Sequence, residues 1–315
     1  MTRESNINKN HRLQKESAGK NLNRRDFLQM SSLGLLGTVV PLSALDLYDP
    51  QKWKPAKLSV QLYTVREQIK SDLAGTLARV KKIGFNHVET AFWPDNISLT
   101  MAANYLQKAG LTVSSAHIEL PLGDKKQLFL DTAHAYDCKK MIWHGWPEDK
   151  RYSSREGTLE LVSIYNEANR FARSHGLEFG LHNHWWEYRN KIGGQYVYEV
   201  LLENLDKEIF FEVDTYWVKV AGQDPAAIVK KLGNRAPLLH IKDGPAVWND
   251  SLAIDNPDPM TSVGQGTQNF PAIVAAADGN TEWMVVEMDK TKKDVFVALK
   301  ESYEYLTSHK MVQTG

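Results

Sequence analysis

The 315-residue chain contains one cysteine, Cys138. An internal disulfide is therefore excluded, and a thiolate metal cluster has no ligands to draw on. Cys138 reads as a small buried hydrophobe. Charge of one sign is lacking as well, since 38 Lys and Arg balance 38 Asp and Glu. No global field draws the protein to nucleic acid or to an anionic membrane, and a small molecule is the expected partner. No apolar run is long enough to span a roughly 30 Å hydrocarbon core. A Gly-rich phosphate turn is missing after the first strand candidate, where Tyr63-Thr64-Val65-Arg66-Glu67 stands. That argues against a doubly wound nucleotide-binding sheet. What is present, at 42% hydrophobic residues, suffices for the core of one large α/β domain.

The first fifty residues differ in kind from the rest. A polar start leads through Asn23-Arg24-Arg25-Asp26-Phe27-Leu28 into the uncharged apolar run Met30 to Val40. The run is too short for a membrane span and suits the apolar segment of an export signal. The paired arginines followed by Phe-Leu resemble the twin-arginine signal, which implies passage across the bacterial inner membrane and a periplasmic location. No cysteine follows the run, so a lipoprotein anchor is not supported and no stable membrane anchor is expected after export. Residues 1–50 thus read as export leader and linker, and residues 51–315 as the folded domain.

From Lys57 onward, short β-rich runs alternate with stretches of helical period, the pattern of repeated βα units around a parallel sheet. Strands are predicted at Leu58–Tyr63, His87–Thr90, Thr112–His117, Lys140–His144, Glu178–His184, Ile209–Asp214, Leu238–Lys242 and Trp283–Glu287. Helices are predicted between and after them, among them Leu73–Ile83, Thr100–Ala109, Lys125–Tyr136, Ser154–His175 and Val295–Leu306. Gly84 and Gly110 stand just past two of these helices, with lysine in the last turn, as a helix C-terminus prefers. Eight units over about 250 residues predict the α/β class and a single (β/α)8 TIM barrel. The irregular stretch 244–268, between the seventh and eighth strands, is expected to cap the site.

Active-site residues of such barrels come from the C-terminal ends of the strands. Here those ends carry Gln61 and Tyr63, Glu89, His117 and Glu119, His144, His182 and His184, Glu212 and Asp214, His240 and Lys242, and Glu287 and Asp289. Many lie two apart, which places both side chains on one face of a strand. Burying so many ionisable groups costs several kcal/mol apiece unless they are paired or bind a cation. One divalent metal ion answers that cost. Asp214, His240 and Glu287 offer a mixed oxygen and nitrogen set suited to Mn²⁺, Mg²⁺, Co²⁺ or Zn²⁺, without choosing among them. Trp185 and Trp217 stand near strand ends with five further tryptophans. Their flat rings suit the C–H faces of sugars, and they equally fill barrel mouths.

Five segments, in order along the chain, carry a family likeness: Gly180-Leu-His-Asn-His-Trp-Trp-Glu187, Phe211-Glu-Val-Asp-Thr-Tyr-Trp217, Leu239-His-Ile-Lys-Asp-Gly244, Val263-Gly-Gln-Gly266 and Val285-Val-Glu-Met-Asp289. They resemble the sugar phosphate isomerase/epimerase superfamily with a xylose-isomerase-like barrel. The resemblance implies a metal set of Glu, Asp, His and Glu from strands five to eight, which falls here on Asp214, His240 and Glu287. Strand five departs from it. His182 stands where a glutamate is usual, so either His182 or Glu187 completes the set, and Glu187 is preferred because it keeps the carboxylate count.

The chemistry implied is proton abstraction next to a carbonyl through an enediolate. Glu287 is the expected base, Glu187 or a histidine its counterpart, and Lys242 a donor to the developing oxyanion. Asp243 is expected to orient the site. Substrate contacts are expected from Glu89, His117, His144, His184, Trp185 and Trp217. Export favours an unphosphorylated sugar outside the inner membrane. Alternatives are a metal-dependent lyase or hydrolase of 3-keto-glycosides, a non-catalytic sugar-binding barrel, and a barrel nuclease disfavoured by the zero net charge. A homo-oligomer is left open.

Overall fold

The computed structural model describes residues 54–313 except residue 255. The expected export leader lies outside the described residues. No helix among those described is long and apolar enough to cross a membrane.

Eight parallel strands form the barrel: β1 (Ala56–Gln61), β2 (His87–Thr90), β3 (Thr112–Ile118), β4 (Lys140–Trp143), β5 (Glu178–His182), β6 (Phe210–Asp214), β7 (Leu238–Ile241) and β8 (Trp283–Val286). Each pairs with the next, and β8 closes on β1 in the register Lys57↔Trp283 to Val60↔Val286. The two-residue strand Val312–Gln313 adds beside Ala56 and Lys57 at the foot of β1. The helices that follow the strands in turn are α1 (Leu73–Ile83), α2 (Leu99–Ala109), α3 (Lys125–Tyr136), α4 (Arg155–Ser174), α5 (Val197–Asn204), α6 (Pro225–Leu232), α7 (Phe270–Ala277) and α8 (Val295–Ser308). The expected single (β/α)8 barrel is the fold observed.

Local chemistry sets the helix ends. Asp72 accepts the N–H of Gly75 at 2.9 Å and starts α1, and Ser98 caps α2 through Met101. Gly110, at φ +66°, ends α2 in the left-handed region, where a side chain would add strain. The apolar faces of the helices pack on the outside of the barrel around residues such as Leu77, Val80, Phe129 and Leu299.

Five of the eight strands stop earlier than the sequence pattern predicts, while β2 and β6 end as predicted and β3 runs one residue further, to Ile118. β1 ends at Gln61, whose side-chain oxygen takes the N–H of Tyr63 and turns the chain into a 3-10 helix. β4, β5, β7 and β8 end one or two residues before His144, His184, Lys242 and Glu287. These side chains therefore stand just beyond the last ladder bonds, at the barrel mouth, where backbone is free to turn.

Candidate functional site

Inside the mouth, four side chains close a ring of hydrogen bonds. The ring nitrogen Nε2 of His117 lies 2.6 Å from Glu212 Oε2 and 3.2 Å from Glu89 Oε1. Nε2 of His240 lies 2.7 Å from Glu89 Oε1 and 3.2 Å from Glu212 Oε2. The two imidazoles stack at 5.4 Å and 10°. Glu89 is fully buried and also accepts from the Gln61 amide at 2.6 Å and the Ser115 hydroxyl at 2.5 Å. Burial alone would lower the pKa of His117, but Glu89 and Glu212 lift it to about 9. Separations of 2.6–2.7 Å are hydrogen-bond lengths, shorter than the roughly 3.3 Å between ligands on a tetrahedral ion with 2.0–2.1 Å bonds. Glu89, His117, Glu212 and His240 also lie close enough together to hold a metal ion, but the two shortest of these separations are hydrogen-bond lengths.

Above it, a ligand atom from each of His182, Asp214, His240 and Glu287 lies within 4.8 Å of all the others, a group that could hold a metal ion. Each ligand is aimed by its other atom. His182 Nδ1 faces the carbonyl of His144 at 3.2 Å, which leaves Nε2 toward the group. Asp214 Oδ1 takes the N–H groups of Tyr216 and Trp217, both at 3.0 Å, and so caps the helical turn Thr215–Val220. His240 is tied through Nε2 to Glu89 and presents Nδ1. His182 Nε2 is buried without a hydrogen-bond partner, Asp214 Oδ2 lies 3.5 Å from it and 2.8 Å from the Lys242 ammonium, and His240 Nδ1 lies 2.8 Å from Glu287 Oε2. Two imidazoles and two carboxylates converging on one point, with His182 Nε2 otherwise unsatisfied, fit a cation. Burial would lower the pKa of His240, yet Glu212, Glu287 and Glu89 raise it far above the ordinary value, so the pocket favours positive charge. Oxygen and imidazole ligands suit a divalent ion of the Mn²⁺ to Zn²⁺ range.

Lys242 supplies fixed positive charge. Its ammonium lies 2.8 Å from Asp214 Oδ2, 2.7 Å from Glu287 Oε2 and 2.8 Å from Asp289 Oδ2, and the residue is 1% exposed. Glu287 is raised by burial but held well below the ordinary range by Lys242 and His240. A cavity of about 190 Å³ opens over the group, walled by His117, His144, His184, Lys242, Glu287 and Asp289. Burial lowers the pKa values of His144, to about 3, and of His184, which keeps both imidazoles neutral.

The structure sorts the expected residues. Asp214, His240, Glu287 and Lys242 come together, and His182 completes the set in place of Glu187. Glu187 sits on the one-turn helix Trp186–Arg189, where its Oε2 accepts the N–H of His184 at 3.0 Å. It lines a separate small cavity with Tyr152 and Tyr165. The chain curls back directly after β5, and this turns the carboxylate behind the wall of the site.

His117, His144 and His184 line the pocket as expected. Glu89 does not, because it lies beneath His240. Trp185 and Trp217 are buried against each other at 4.9 Å and do not line the pocket. Trp146, one of the five further tryptophans near strand ends, lines it, and so do Tyr63, Phe92 and Asp289, which had been given no role from sequence. For Asp289 the two-residue spacing from Glu287 was the available signal. For Phe92 there was none, because it lies in a loop with no period to place it.

Asp243 acts on the loop and does not touch the pocket. Its Oδ1 accepts from Gly244 and Gln268, and its Oδ2 from Gly264 and Gly266. The Gly264 and Gly266 amides thus serve an internal carboxylate.

Comparison with known proteins follows from this geometry. Residues 77–309 match the family model described as the xylose isomerase-like TIM barrel. Among solved structures, a sugar phosphate isomerase/epimerase from Parabacteroides distasonis is 22% identical, with a TM-score of 0.69 over 82% of this chain and 100% of the other. An AP endonuclease, family 2, from Brucella melitensis is 14% identical, with a TM-score of 0.55 over 81% and 99%. The IOLI protein, solved with a bound zinc atom, is 15% identical, with a TM-score of 0.58 over 81% and 98%. No curated protein sequence matches the chain. The chain belongs to the xylose isomerase-like TIM barrel family.

Proposed function

We propose that the protein is a divalent-metal-dependent sugar isomerase or epimerase that moves a proton next to a carbonyl. The observation that carries this reading is the convergence of ligand atoms from His182, Asp214, His240 and Glu287 within 4.8 Å of one another, under a pocket walled by Glu287 and Lys242. A divalent ion at that point would supply Lewis acidity toward the substrate carbonyl and its neighbouring hydroxyl. The isomerase/epimerase and zinc-bound relatives support the same chemistry by analogy of fold.

Glu287, kept ionised by Lys242 and His240, takes the proton from the carbon next to the carbonyl. Lys242, already directed at the carboxylates, donates to the oxygen on which negative charge develops. In isomerisation the protonated Glu287 returns its proton to the neighbouring carbon; in epimerisation a water held by the neutral imidazole of His144 or His184 supplies it, and the protonated Glu287 neutralises the hydroxide left, a part that Glu187 is too far behind the wall to play. Glu89 holds His240 from beneath and fixes which nitrogen faces the pocket. When the substrate carries a leaving group on the carbon beyond the one deprotonated, the same enediolate expels it, which gives cleavage of a 3-keto-glycoside as the second reading. The twin-arginine-like leader supports a periplasmic setting and an unphosphorylated sugar.

Metal analysis and isotope exchange test the reading together. Asp214→Ala and His182→Ala are expected to lose bound metal, whereas Glu187→Ala retains it. A panel of ketoses and 3-keto-glycosides incubated in D2O should show deuterium uptake beside the carbonyl of the substrate, at a rate at least about 100-fold lower for Glu287→Gln. Unchanged metal content in Asp214→Ala would sink the site assignment.

A further inference from the structure

A second cavity of about 250 Å³ adjoins the one over the metal group, and Ala91, Phe92 and His117 border both. Trp93, Leu128 and Phe129 build its far side. The Trp93 ring is held by its indole N–H, which donates to the Tyr136 hydroxyl at 2.7 Å. Phe92 packs its ring edgewise on His144 at 5.0 Å, yet remains 53% exposed, and Leu128 is 51% exposed. Large apolar side chains left open beside a reactive pocket mark a surface that meets a ligand. Neither cavity alone reaches the roughly 300–1,000 Å³ of pockets that enclose small-molecule ligands, but joined they do. The walls also speak on chemistry. No arginine stands among the described lining residues, and the one lysine, Lys125, is accompanied by a carboxylate, Glu119, so a phosphate group is poorly served. Flat rings suit it, because Phe92 and Trp93 present faces and edges on which an apolar ring face packs.

We propose that this second cavity is a subsite for a ring attached to the reacting sugar, so that the substrate is a glycoside that keeps a carbonyl off its anomeric carbon and not a free monosaccharide. The inference rests on the sugar chemistry proposed for the metal-side pocket and adds what lies next to it. An aryl group and a second pyranose share the required apolar face.

Binding titrations on the metal-loaded full chain distinguish these cases. The probes are methyl and phenyl glycosides of glucose, galactose and xylose, together with cellobiose and lactose. Phenyl glycosides are expected to bind roughly tenfold tighter than their methyl partners if the ring is aryl, and the disaccharides to show that gain if it is a second sugar. In Phe92→Ala and Leu128→Glu, both at exposed positions where folding tolerates change, the gain should fall to about twofold or less. Equal binding of methyl glycosides, phenyl glycosides and disaccharides would overturn the subsite while leaving the metal-side sugar pocket standing. Binding of none of them would overturn both. A gain that survives Leu128→Glu would place the ring elsewhere and overturn the proposal as well.

Discussion

Glu187 is buried, with its Oε2 on the N–H of His184 and its carboxyl group in a cavity beside Tyr152 and Tyr165. Burial pushes its pKa up from the ordinary 4.5 to about 8. A raised carboxyl binds its proton more tightly folded than unfolded, so this contribution to stability is complete below about pH 4.5 and is lost as pH rises through 8. Glu187→Gln keeps an acceptor for the His184 N–H and cannot ionise. Chemical denaturation across pH 5–9 should find the variant similar to wild type at the acid end and more stable at pH 9, by an amount on the order of a few kcal/mol. A variant no more stable than wild type at pH 9 would show that the carboxylate finds a cation or water there. The choice of Glu187 over His182 as a ligand shows where sequence reasoning stops at this scale. Counting carboxylates is a rule about composition, whereas ligation depends on which way a side chain leaves its turn. Asp214, His240 and Glu287 were legible because strand alternation alone places them.

At the scale of elements, the loop from β7 to α7 depends on Asp243, whose two oxygens accept four backbone N–H groups. The glycines are part of that arrangement. A Cβ on Gly266 would stand 2.1 Å from Asp243 Oδ1, and one on Gly264, at φ +88°, would stand 2.3 Å from the Tyr305 ring. Asp243→Ala leaves four N–H groups without their acceptor, that of Gly244 buried and the other three partly buried, at about 1–3 kcal/mol for each one that water cannot reach. Asp243→Ala and Gly266→Ala should each lower the melting temperature, and limited proteolysis should move to residues 244–268 while the rest of the barrel stays resistant. Cleavage patterns unchanged in both variants would show the loop to be held by something else. The helices were readable almost to their ends because caps and glycines mark them. The strand ends were overrun, since His144, Lys242 and Glu287 continue the alternating pattern after the ladder has stopped. The pattern records burial at the mouth, which persists beyond the last strand bond.

For the whole molecule, eight strands deliver ionisable groups to one end, and their charges must balance there. The inner ring pairs Glu89 and Glu212 with His117 and His240, and Lys242 answers Asp214, Glu287 and Asp289. That arrangement leaves more carboxylates than cations at the upper group, and His182 Nε2 there has no hydrogen-bond partner. The existence of the cluster was legible from sequence, but its division into a hydrogen-bonded ring and a second group above it was not, because register and loop direction set the distances. An ion that binds only the folded barrel stabilises it by mass action, about 2.7 kcal/mol at a hundred times the dissociation constant. For a domain of this size that is a rise of roughly 5–10 °C in melting temperature. Thermal melts of chelator-treated protein with added Mn²⁺, Co²⁺ or Zn²⁺ should show such a rise. Asp214→Ala should lose it, since the variant removes both a ligand and the cap of the Thr215–Val220 turn. His182→Ala should lose most of it without touching that cap, which separates loss of the ion from loss of structure. An equal rise in wild type and in His182→Ala would mean that the ion stabilises the barrel from another place.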